Sequence, residues 1–382
     1  YADKFKVVAS FSQNVIAKEG QEYKFNGVIS MPESRKGIQS INKFQGLPDN
    51  FVYGLVTDEA RNIWMHLDLI GLVRFDGHKF NAFTKDEGLV SDDIISLQER
   101  DDGIGVWVLS KFGISNFDGI FFKNWYFEDA IDKHDIRSTT TQGDTLWIAT
   151  KDDGLWCVLD GTIKKYDVDS GLRSNGIQSL YLDKDNKLWL TYSDGGVDYI
   201  EGDKIFRMYF NEKSMQPLII GDFQNGFYIY DKKAKRLKNF VSGVLYETNL
   251  DVEGELLDFQ LTKNGIWFIT KDSGIFSFDN KTFCRYYSNK DVPANKVTCS
   301  TVVDDQIWLG CLGAGLQIIR SLDYTFLEYD KDSFDPLSTT FFSTSGHLYF
   351  AGLDQNKPYR AWTTMDVSSQ PSFYRSDFVS DT

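Results

Sequence analysis

Residue types that commonly carry chemistry are scarce in this chain, and each scarcity excludes a class of protein. The 382 residues include four cysteines, four histidines, five methionines and seven prolines. No stretch of about 18 apolar residues occurs, so the sequence predicts no membrane-spanning helix. The formal net charge of −14 disfavours nucleic acid and anionic membranes as partners, because both bind basic surfaces. We therefore expect no nucleic acid partner, and any membrane association would come from parts outside this chain.

The short motifs of common catalytic and metal sites are also missing. His66, His78, His134 and His347 do not stand near Cys, Asp or Glu at metal-ligand spacing. Nucleophile-elbow, HExxH, CxxC, P-loop and dinucleotide-binding patterns do not occur. The segment DKDN at 183–186 begins like a calcium loop but lacks the glycine and the final glutamate, so we interpret it as a hairpin turn. We predict a protein that is not an enzyme and that has no cofactor and no metal.

What the chain has instead is a repeated phrase. IWMHLDLIGLVRFDG begins at Ile63, and five variants follow, each with a tryptophan six or seven residues before a glycine. These glycines fall at 71, 113, 154 and 196 and again at 274 and 315, which gives a period of 41 or 42 residues. A period of this length marks a repeat architecture. The repeated tryptophans are Trp64, Trp107, Trp147, Trp189, Trp267 and Trp308.

Each repeat contains four short stretches in which apolar and polar residues alternate. In the first repeat they run from Val52 to Val56, Ile63 to Met65, Leu72 to Phe75 and Phe80 to Phe83. Such alternation predicts strands, and the links between them are rich in the turn residues Asp and Gly. Four antiparallel strands per ~40 residues predict an all-β fold, a β-propeller of four-stranded blades. One blade cannot bury both of its faces, so we predict that the six tryptophans are structural core between blades.

The count of blades is seven, with eight as the open alternative. The fifth repeat is degenerate: in LIIGDFQNGFYIYD we place Ile219 where the tryptophan should be and Gly226 at the start of the third strand. SINKF, from Ser40 to Phe44, resembles a fourth strand without a blade, so we predict that it completes the last blade and closes the ring. A partial match, HLYFAGLD, begins at His347 and would be an eighth blade or part of a further module.

These patterns predict the domain bounds. An N-terminal extension of unassigned structure covers 1–39, the propeller covers 40–352, and a tail or the start of a further module covers 353–382. Because the chain begins at Tyr1 without a methionine, we expect it to be a processed or trimmed piece.

The four cysteines, Cys157, Cys284, Cys299 and Cys311, fall in predicted strands, where small apolar residues are common. A two-residue turn at Asp304 and Asp305 would pair position 299 with position 310. Cys299 and Cys311 then point to opposite faces of the sheet, so we predict no disulfide.

Charged loops predict where a ligand would bind. In a propeller the loops between the second and third strands emerge on one face, around the mouth of the central channel. Here they carry several lysines, which on an acidic protein could hold an oligosaccharide or another anionic ligand; ordinary solvated loop charge is the alternative interpretation. The predicted rim residues are His66, Asp68, Lys111, Lys151, Asp152, Tyr192, Asp194, Lys271 and Asp272. Trp125, in a predicted outer strand, is a candidate surface aromatic for a sugar or a protein partner.

The segment from Gly46 to Asp93 resembles the two-component regulator propeller repeat. The resemblance rests on Gly46, Leu47, Asn50, Asp58, Trp64, Gly71, Leu72, Arg74, Phe75 and Asp76, and similar phrases recur over most of the chain. In that family the propeller is usually the extracytoplasmic sensor of a histidine kinase or hybrid regulator of Bacteroidetes-type bacteria, often tuned to glycans.

The resemblance implies a function but transfers no catalytic residue. It implies a periplasmic or cell-surface sensor module that binds a ligand or a partner and acts with protein partners or as a homodimer. Similar propellers in cell-surface proteins of the type IX secretion machinery make an interaction scaffold the alternative. A propeller lyase or hydrolase is a third interpretation.

Overall fold

The computed structural model divides the chain into two compact units, Tyr1–Ser321 and Leu322–Thr382. The structure describes residues 12–18, 20–27, 29–30, 38–101, 103–127, 129–159, 162–202, 204–208, 215–223, 226–241, 244–263, 265–271, 273–279, 283–287, 296–320, 340–344, 347–353, 360–366 and 374–377.

The first unit is a propeller of seven antiparallel sheets, which confirms the predicted fold class and the count of seven blades. Four short strands precede the first blade: β1 (Ser12–Ile16), β2 (Gln21–Lys24), β3 (Ile29–Ser30) and β4 (Gln39–Ile41). Blade one contains β5 (Val52–Thr57), β6 (Ile63–Leu67), β7 (Gly71–Phe75) and β8 (Lys79–Phe83). Blade two contains β9 (Ile94–Glu99), β10 (Val106–Ser110), β11 (Gly113–Phe117) and β12 (Phe121–Tyr126).

The next blades repeat this order from the innermost strand outward. Blade three contains β13 (Ile136–Gln142), β14 (Thr145–Thr150), β15 (Leu155–Leu159) and β16 (Thr162–Tyr166). Blade four contains β17 (Ile177–Leu182), β18 (Leu188–Tyr192), β19 (Val197–Glu201) and β20 (Lys204–Met208). Blade five contains β21 (Pro217–Phe223), β22 (Gly226–Asp231), β23 (Arg236–Val241) and β24 (Val244–Asp251).

The ring ends with two further blades. Blade six contains β25 (Leu256–Thr262), β26 (Gly265–Thr270), β27 (Gly274–Phe278) and β28 (Phe283–Tyr287). Blade seven contains β29 (Val297–Val303), β30 (Gln306–Cys311), β31 (Gly315–Arg320) and, as its fourth strand, β4 from the N-terminal region. The predicted closure is therefore confirmed, because Ser40 pairs with Gln317 and Ile41 with Leu316.

The N-terminal region, which had no predicted structure, wraps the outside of three blades. β1 pairs antiparallel with β12 of blade two, β2 pairs with β8 of blade one, and β3 extends blade seven beyond β4. Gly20, between β1 and β2, lies so close to blade one that an added Cβ would stand 2.1 Å from the carbonyl oxygen of Ala82. We call β1, β2, β3 and β4 the N-terminal belt. In blades three to six the described outer strand pairs with the third strand of its own blade and with no further described strand.

Each of the seven junctions between blades contains one hydrophobic cluster, and at six of them the repeated tryptophan supplies the large ring. Trp64 packs against Phe117 of blade two with ring centroids 5.3 Å apart, and Trp189 packs against Phe227 of blade five at 4.7 Å. All six repeated tryptophans are at most 8% exposed. In two blades an aspartate fixes the ring: Asp58 accepts a hydrogen bond from the Trp64 indole at 2.9 Å, and Asp183 accepts one from Trp189 at 2.7 Å. Asp183 follows β17 directly and begins the turn into its antiparallel partner β18, so this segment is a hairpin turn, as predicted.

The predicted frame of blade five is wrong by one strand. LIIGDF lies in the first strand, β21, and Gly226 begins the second strand, β22. Tyr228, 5% exposed, occupies the position of the repeated tryptophan and packs in the cluster between blades five and six. The repeat is marked by an indole in the other blades, whereas a phenol ring fills the same space at this junction.

The described helices are three-residue 3₁₀ turns, Lys43–Gln45, Lys85–Glu87 and Lys133–Asp135, and none could cross a bilayer. Two of them explain the repeated Gly-Leu phrase. Asn42 with Gln45, and Thr84 with Glu87, form capping boxes, and Gly46 and Gly88 follow at φ of 98° and 119°. This left-handed conformation suits glycine.

The turn at Asp304 and Asp305 has the predicted register, since Cys299 pairs with Gly310. Cys157, Cys299 and Cys311 are free thiols, and Cys299 and Cys311 pack in different clusters. The described strands of the second unit form one four-stranded sheet: β32 (Thr340–Thr344), β33 (His347–Leu353), β34 (Arg360–Asp366) and β35 (Tyr374–Asp377). HLYFAGLD contributes β33 to this sheet.

Candidate functional site at the channel mouth

A β-bulge recurs at the second residue of six of the seven inner strands. In blade three, for example, the pairing with the second strand passes from Ile136 to Ser138 and skips Arg137. A bulged residue stays outside the ladder, and bulges commonly re-aim a side chain near a functional site. The six bulged residues are Tyr53, Ile95, Arg137, Gln178, Leu257 and Thr298. They follow the connections between blades, so they lie at the end of the channel where we predicted a ligand.

A second sequence feature, apart from the tryptophan repeat, accompanies these bulges. In every blade except blade six a small residue follows the bulge, because the next inner strand approaches closely there; in blade five the bulge falls at the fourth residue of β21. Ser96 and Thr139 join their hydroxyls across two blades at 3.0 Å, and the Ser138 hydroxyl accepts a hydrogen bond from Leu180 N at 3.2 Å. The small residues are Gly54, Ser96, Ser138, Ser179, Gly221 and Cys299.

A cavity of about 200 Å³ opens between the inner strands of blades three to six. Three of the bulged residues take part in its wall, and Lys232 reaches it from the loop that joins β22 to β23. The lining residues are Arg137, Ser138, Gln178, Ser179, Leu218, Lys232, Leu256, Leu257, Asp258 and Phe259.

Two cations converge on this cavity. Burial lowers the pKa of Lys232 below its ordinary value, and the positive charge of Arg137 lowers that pKa further. Among the described residues, no carboxylate forms an ion pair with Arg137 or Lys232. Two like charges held together in this way favour an anion between them.

The one carboxylate of the cavity wall is already engaged. Asp258 accepts hydrogen bonds from the backbone nitrogen of Ser300 at 2.9 Å and from its hydroxyl at 2.6 Å. Burial nevertheless raises the pKa of Asp258, because it disfavours the charged form more than these hydrogen bonds support it. Asp258 therefore ties blade six to blade seven and leaves the two cations uncompensated.

The rim lysines predicted from the sequence lie in the expected loops, but the cavity does not include them. Lys271 Nζ lies 3.1 Å from Glu255 Oε2, and Lys151 Nζ lies 3.9 Å from Asp152 Oδ2. Lys111 Nζ stands 5.4 Å from the centre of the Phe112 ring. These exposed pairs are weak, so the rim itself stays a prediction.

The other rim residues have different surroundings. Burial lowers the pKa of His66 to about 4, with Asp68 and Asp93 opposing the shift and Lys133 adding to it, so its imidazole is neutral at physiological pH. His66 packs against Tyr53 with ring centroids 5.5 Å apart. Asp194 accepts a hydrogen bond from Gly196 N at 3.1 Å and closes its own turn. Asp272 lies outside the described residues.

The prediction that Tyr192 lines the rim is wrong. Its side chain is 0% exposed and packs between blades three and four. Burial, followed by the neighbouring Asp198 carboxylate, raises the pKa of its phenol. Asp198 in turn pairs with Arg173, whose Nη2 lies 3.1 Å from Asp198 Oδ1. Tyr192 therefore belongs to a buried polar cluster.

The prediction that Trp125 is a surface aromatic is also wrong. Trp125 is 1% exposed and stacks on Trp107, with ring centroids 5.5 Å apart and planes at 26°. Its strand, β12, is not the outer one, because the N-terminal strand β1 pairs with it and places Ser12 opposite Trp125. The covering strand lies more than 100 residues away in the chain and outside the repeat, so the repeat pattern does not predict it.

No family model and no curated protein matches this sequence. Solved structures do match its fold. The extracellular domain of the hybrid two-component system BT3049 from B. thetaiotaomicron is 16% identical with a TM-score of 0.58, and the match covers 90% of this chain and 55% of that one. The extracellular domain of the one-component system BT4673 from the same organism is 16% identical with a TM-score of 0.54, over 92% of this chain and 57% of that one.

A protein of another kind shares the fold as well. YCF48 bound to D1 peptide is 13% identical with a TM-score of 0.53, and the match covers 78% of this chain and 100% of that one. The chain thus spans about half the length of the two bacterial extracellular domains and the whole of YCF48. The neighbours confirm the resemblance to extracellular propeller domains of Bacteroides signalling systems at the level of the fold.

Proposed function

We propose that this propeller is a non-enzymatic, extracytoplasmic sensor module that binds an anionic ligand at the mouth of its central channel. The observation that carries the proposal is the pair of Arg137 and Lys232 on the wall of one cavity, without an ion-pair partner among the described residues. Holding like charges together costs free energy, and an anionic ligand removes that cost. Lys271 lacks this property, because Glu255 already pairs with it.

The sensor role is supported by the structural neighbours, which are extracellular domains of signalling systems. A sensor works when its ligand binds one of two arrangements of the connected parts more tightly. Those parts would be a partner protein or a second copy of this chain. The periplasmic or cell-surface location rests on the same neighbours.

Isothermal titration calorimetry of the full chain tests the site. The ligands are sulfated and uronate oligosaccharides, their neutral counterparts, and simple carboxylates. We expect at least one anion to bind and its neutral counterpart not to bind. Arg137→Gln and Lys232→Gln should each weaken binding by about tenfold or more, because a hydrogen bond to a charged group contributes about 1.5–3 kcal/mol.

Lys271→Gln is the matched control, since it removes a lysine of the same face that is already ion-paired. It should change the affinity by less than about twofold. Lys151→Gln separates the cavity from the rim predicted from the sequence. Equal losses in all four variants would show a diffuse charge effect, and the absence of binding by any anion would remove the proposed site. Consumption of a bound ligand would contradict the non-enzymatic part of the proposal.

An interaction scaffold is the second candidate function, and exposed apolar side chains favour it. Leu69 is 95% exposed in the loop between β6 and β7, and Phe44 is 85% exposed in the 3₁₀ turn that leads into blade one. Exposed apolar groups of this size often mark protein interfaces. A scaffold predicts a protein partner whose binding is lost in Leu69→Asp and unchanged in Lys232→Gln.

A further inference from the structure

The cavity at the channel mouth has two chemically different walls. The charged groups are Arg137 from blade three, with Gln178 of blade four beside it, and Lys232 from the loop between β22 and β23 of blade five. The inner strands of blades five and six form the second wall, with Leu218, Leu257, Phe259 and the carboxylate Asp258. We infer that the ligand is a compact amphipathic monocarboxylate, whose carboxylate lies against the two cations and whose apolar body lies against the leucines. This inference rests on the proposed function and specifies the ligand of the same site.

Leu257 is the most exposed apolar residue of the second wall. It stands at the bulge of β25, the position that Arg137 and Gln178 occupy in β13 and β17. Leu257 is 39% exposed there, where a polar residue would keep its contact with solvent. An exposed leucine aimed into a cavity contributes to binding when an apolar group covers it, at about 25 cal/mol for each Å² removed from water.

A hydroxylated ring does not fit this wall. A sugar unit whose carboxylate meets Arg137 and Lys232 would turn several hydroxyls toward Leu218, Leu257 and Phe259, and the polar side chain of that wall, Asp258, is already engaged by Ser300. Hydroxyls that lose water without gaining a partner cost free energy. The apolar body of the ligand avoids this cost.

The volume of the cavity and the Asp258 carboxylate in its wall restrict the class of ligand further. A cavity of about 200 Å³ is smaller than the roughly 300–1,000 Å³ of common drug-sized sites, so the occupant is one ring or a short branched chain. The Asp258 carboxylate in the same wall as the leucines disfavours a second anionic group at that end. One carboxylate and one apolar body therefore satisfy both walls.

The test compares probes that share a six-membered ring. Cyclohexanecarboxylate has the carboxylate and an apolar ring, glucuronate has the carboxylate and a hydroxylated ring, and cyclohexanecarboxamide has the apolar ring without the charge. Calorimetry on the full chain should show cyclohexanecarboxylate binding at least about tenfold more tightly than either of the others.

Two variants test whether Leu257 is responsible for the preference for cyclohexanecarboxylate over glucuronate. Leu257→Asn should weaken cyclohexanecarboxylate by about fivefold or more and change glucuronate by less than about twofold. Leu261→Asn is the matched control, because Leu261 lies on the same strand, is 44% exposed and is not in the cavity wall. A melting temperature within a few degrees of the wild type shows that each variant is folded.

The outcomes separate this inference from the proposed function. If glucuronate binds as tightly as cyclohexanecarboxylate and Arg137→Gln abolishes both, the anion site stands and the apolar ligand class is overturned. If cyclohexanecarboxamide binds as tightly as the carboxylate, the cationic pair has no role and both proposals fail. If Leu257→Asn and Leu261→Asn have the same effect, the leucine wall does not set the preference.

Discussion

Blades seven, one and two differ from blades three to six in how their outer edges are treated and in what their inner strands enclose. The N-terminal belt adds a fifth strand to each of blades seven, one and two. All lining residues of the channel-mouth cavity come from the other four blades. Blades seven, one and two therefore close the ring and have covered outer edges, whereas the inner strands of blades three to six form the cavity.

One repeat can thus serve two purposes in the same ring. A covered edge has its backbone groups paired, which prevents association with other strands and adds local stability. The blades without a belt strand supply the cavity instead, where the inner strand of blade three carries the charged bulge residue Arg137, whose cost the rest of the ring must offset. We therefore expect substitutions in the belted half to change stability and substitutions in blades three to six to change binding.

Ile41→Ala is expected to give the largest effect. Ile41 is 0% exposed, belongs to the closing strand β4 and packs in the cluster between blades seven and one. Removing its side chain should lower the free energy of unfolding by about 2–5 kcal/mol. The measurement is chemical denaturation followed by tryptophan fluorescence. Leu245→Ala is the comparison in blades three to six; Leu245 lies in the outer strand of blade five and is partly buried. If Leu245→Ala lowered the free energy of unfolding more than Ile41→Ala, the belted blades would not be the ones that set stability.

Lys232→Arg is expected to give an intermediate effect, seen in the pH dependence of binding. Because the pKa of Lys232 lies below its ordinary value, its charge and its attraction for an anion are present at neutral pH and are lost as the pH rises through the lowered pKa. Arginine stays charged throughout this range. Calorimetry of an anionic probe should show about tenfold weaker binding by the wild type at alkaline pH and little change in the variant. Parallel profiles would show that another group titrates.

Glu22→Gln is expected to give the smallest effect. Glu22 Oε2 lies 2.7 Å from Lys79 Nζ across β2 and β8, and both side chains are largely exposed. Such a pair contributes about 0–1 kcal/mol. Thermal unfolding should shift by no more than a few degrees, because the backbone pairing and the contact of Tyr23 with the core of blade one hold β2 in place. A shift as large as that of Ile41→Ala would mean that charge holds the belt.

The wrong predictions share one physical cause, which is that single blades depart from the average repeat. Tyr228 escaped prediction because it replaces the tryptophan that marks the other blades, although the spacing from Trp189 to Tyr228 equals that from Tyr228 to Trp267. The repeat pattern places Trp125 at the surface and Tyr192 at the channel rim, because it does not show what covers one particular blade. The strand β1, which comes from a distant part of the chain, covers Trp125, whereas Tyr192 packs between blades three and four, next to the Arg173–Asp198 pair.

The sequence by itself determined the blades. Alternation of apolar residues, Asp-rich turns and the spaced tryptophans are local signals, and each is repeated often enough to predict a seven-bladed ring closed by SINKF. Only the tertiary structure decided which residues meet at the channel mouth. Arg137, Lys232 and Leu257 belong to three different blades, and closure of the ring brings them to one cavity. Side-chain period fixes which face a residue occupies, whereas a bulge breaks that period and its outcome depends on the neighbouring strand.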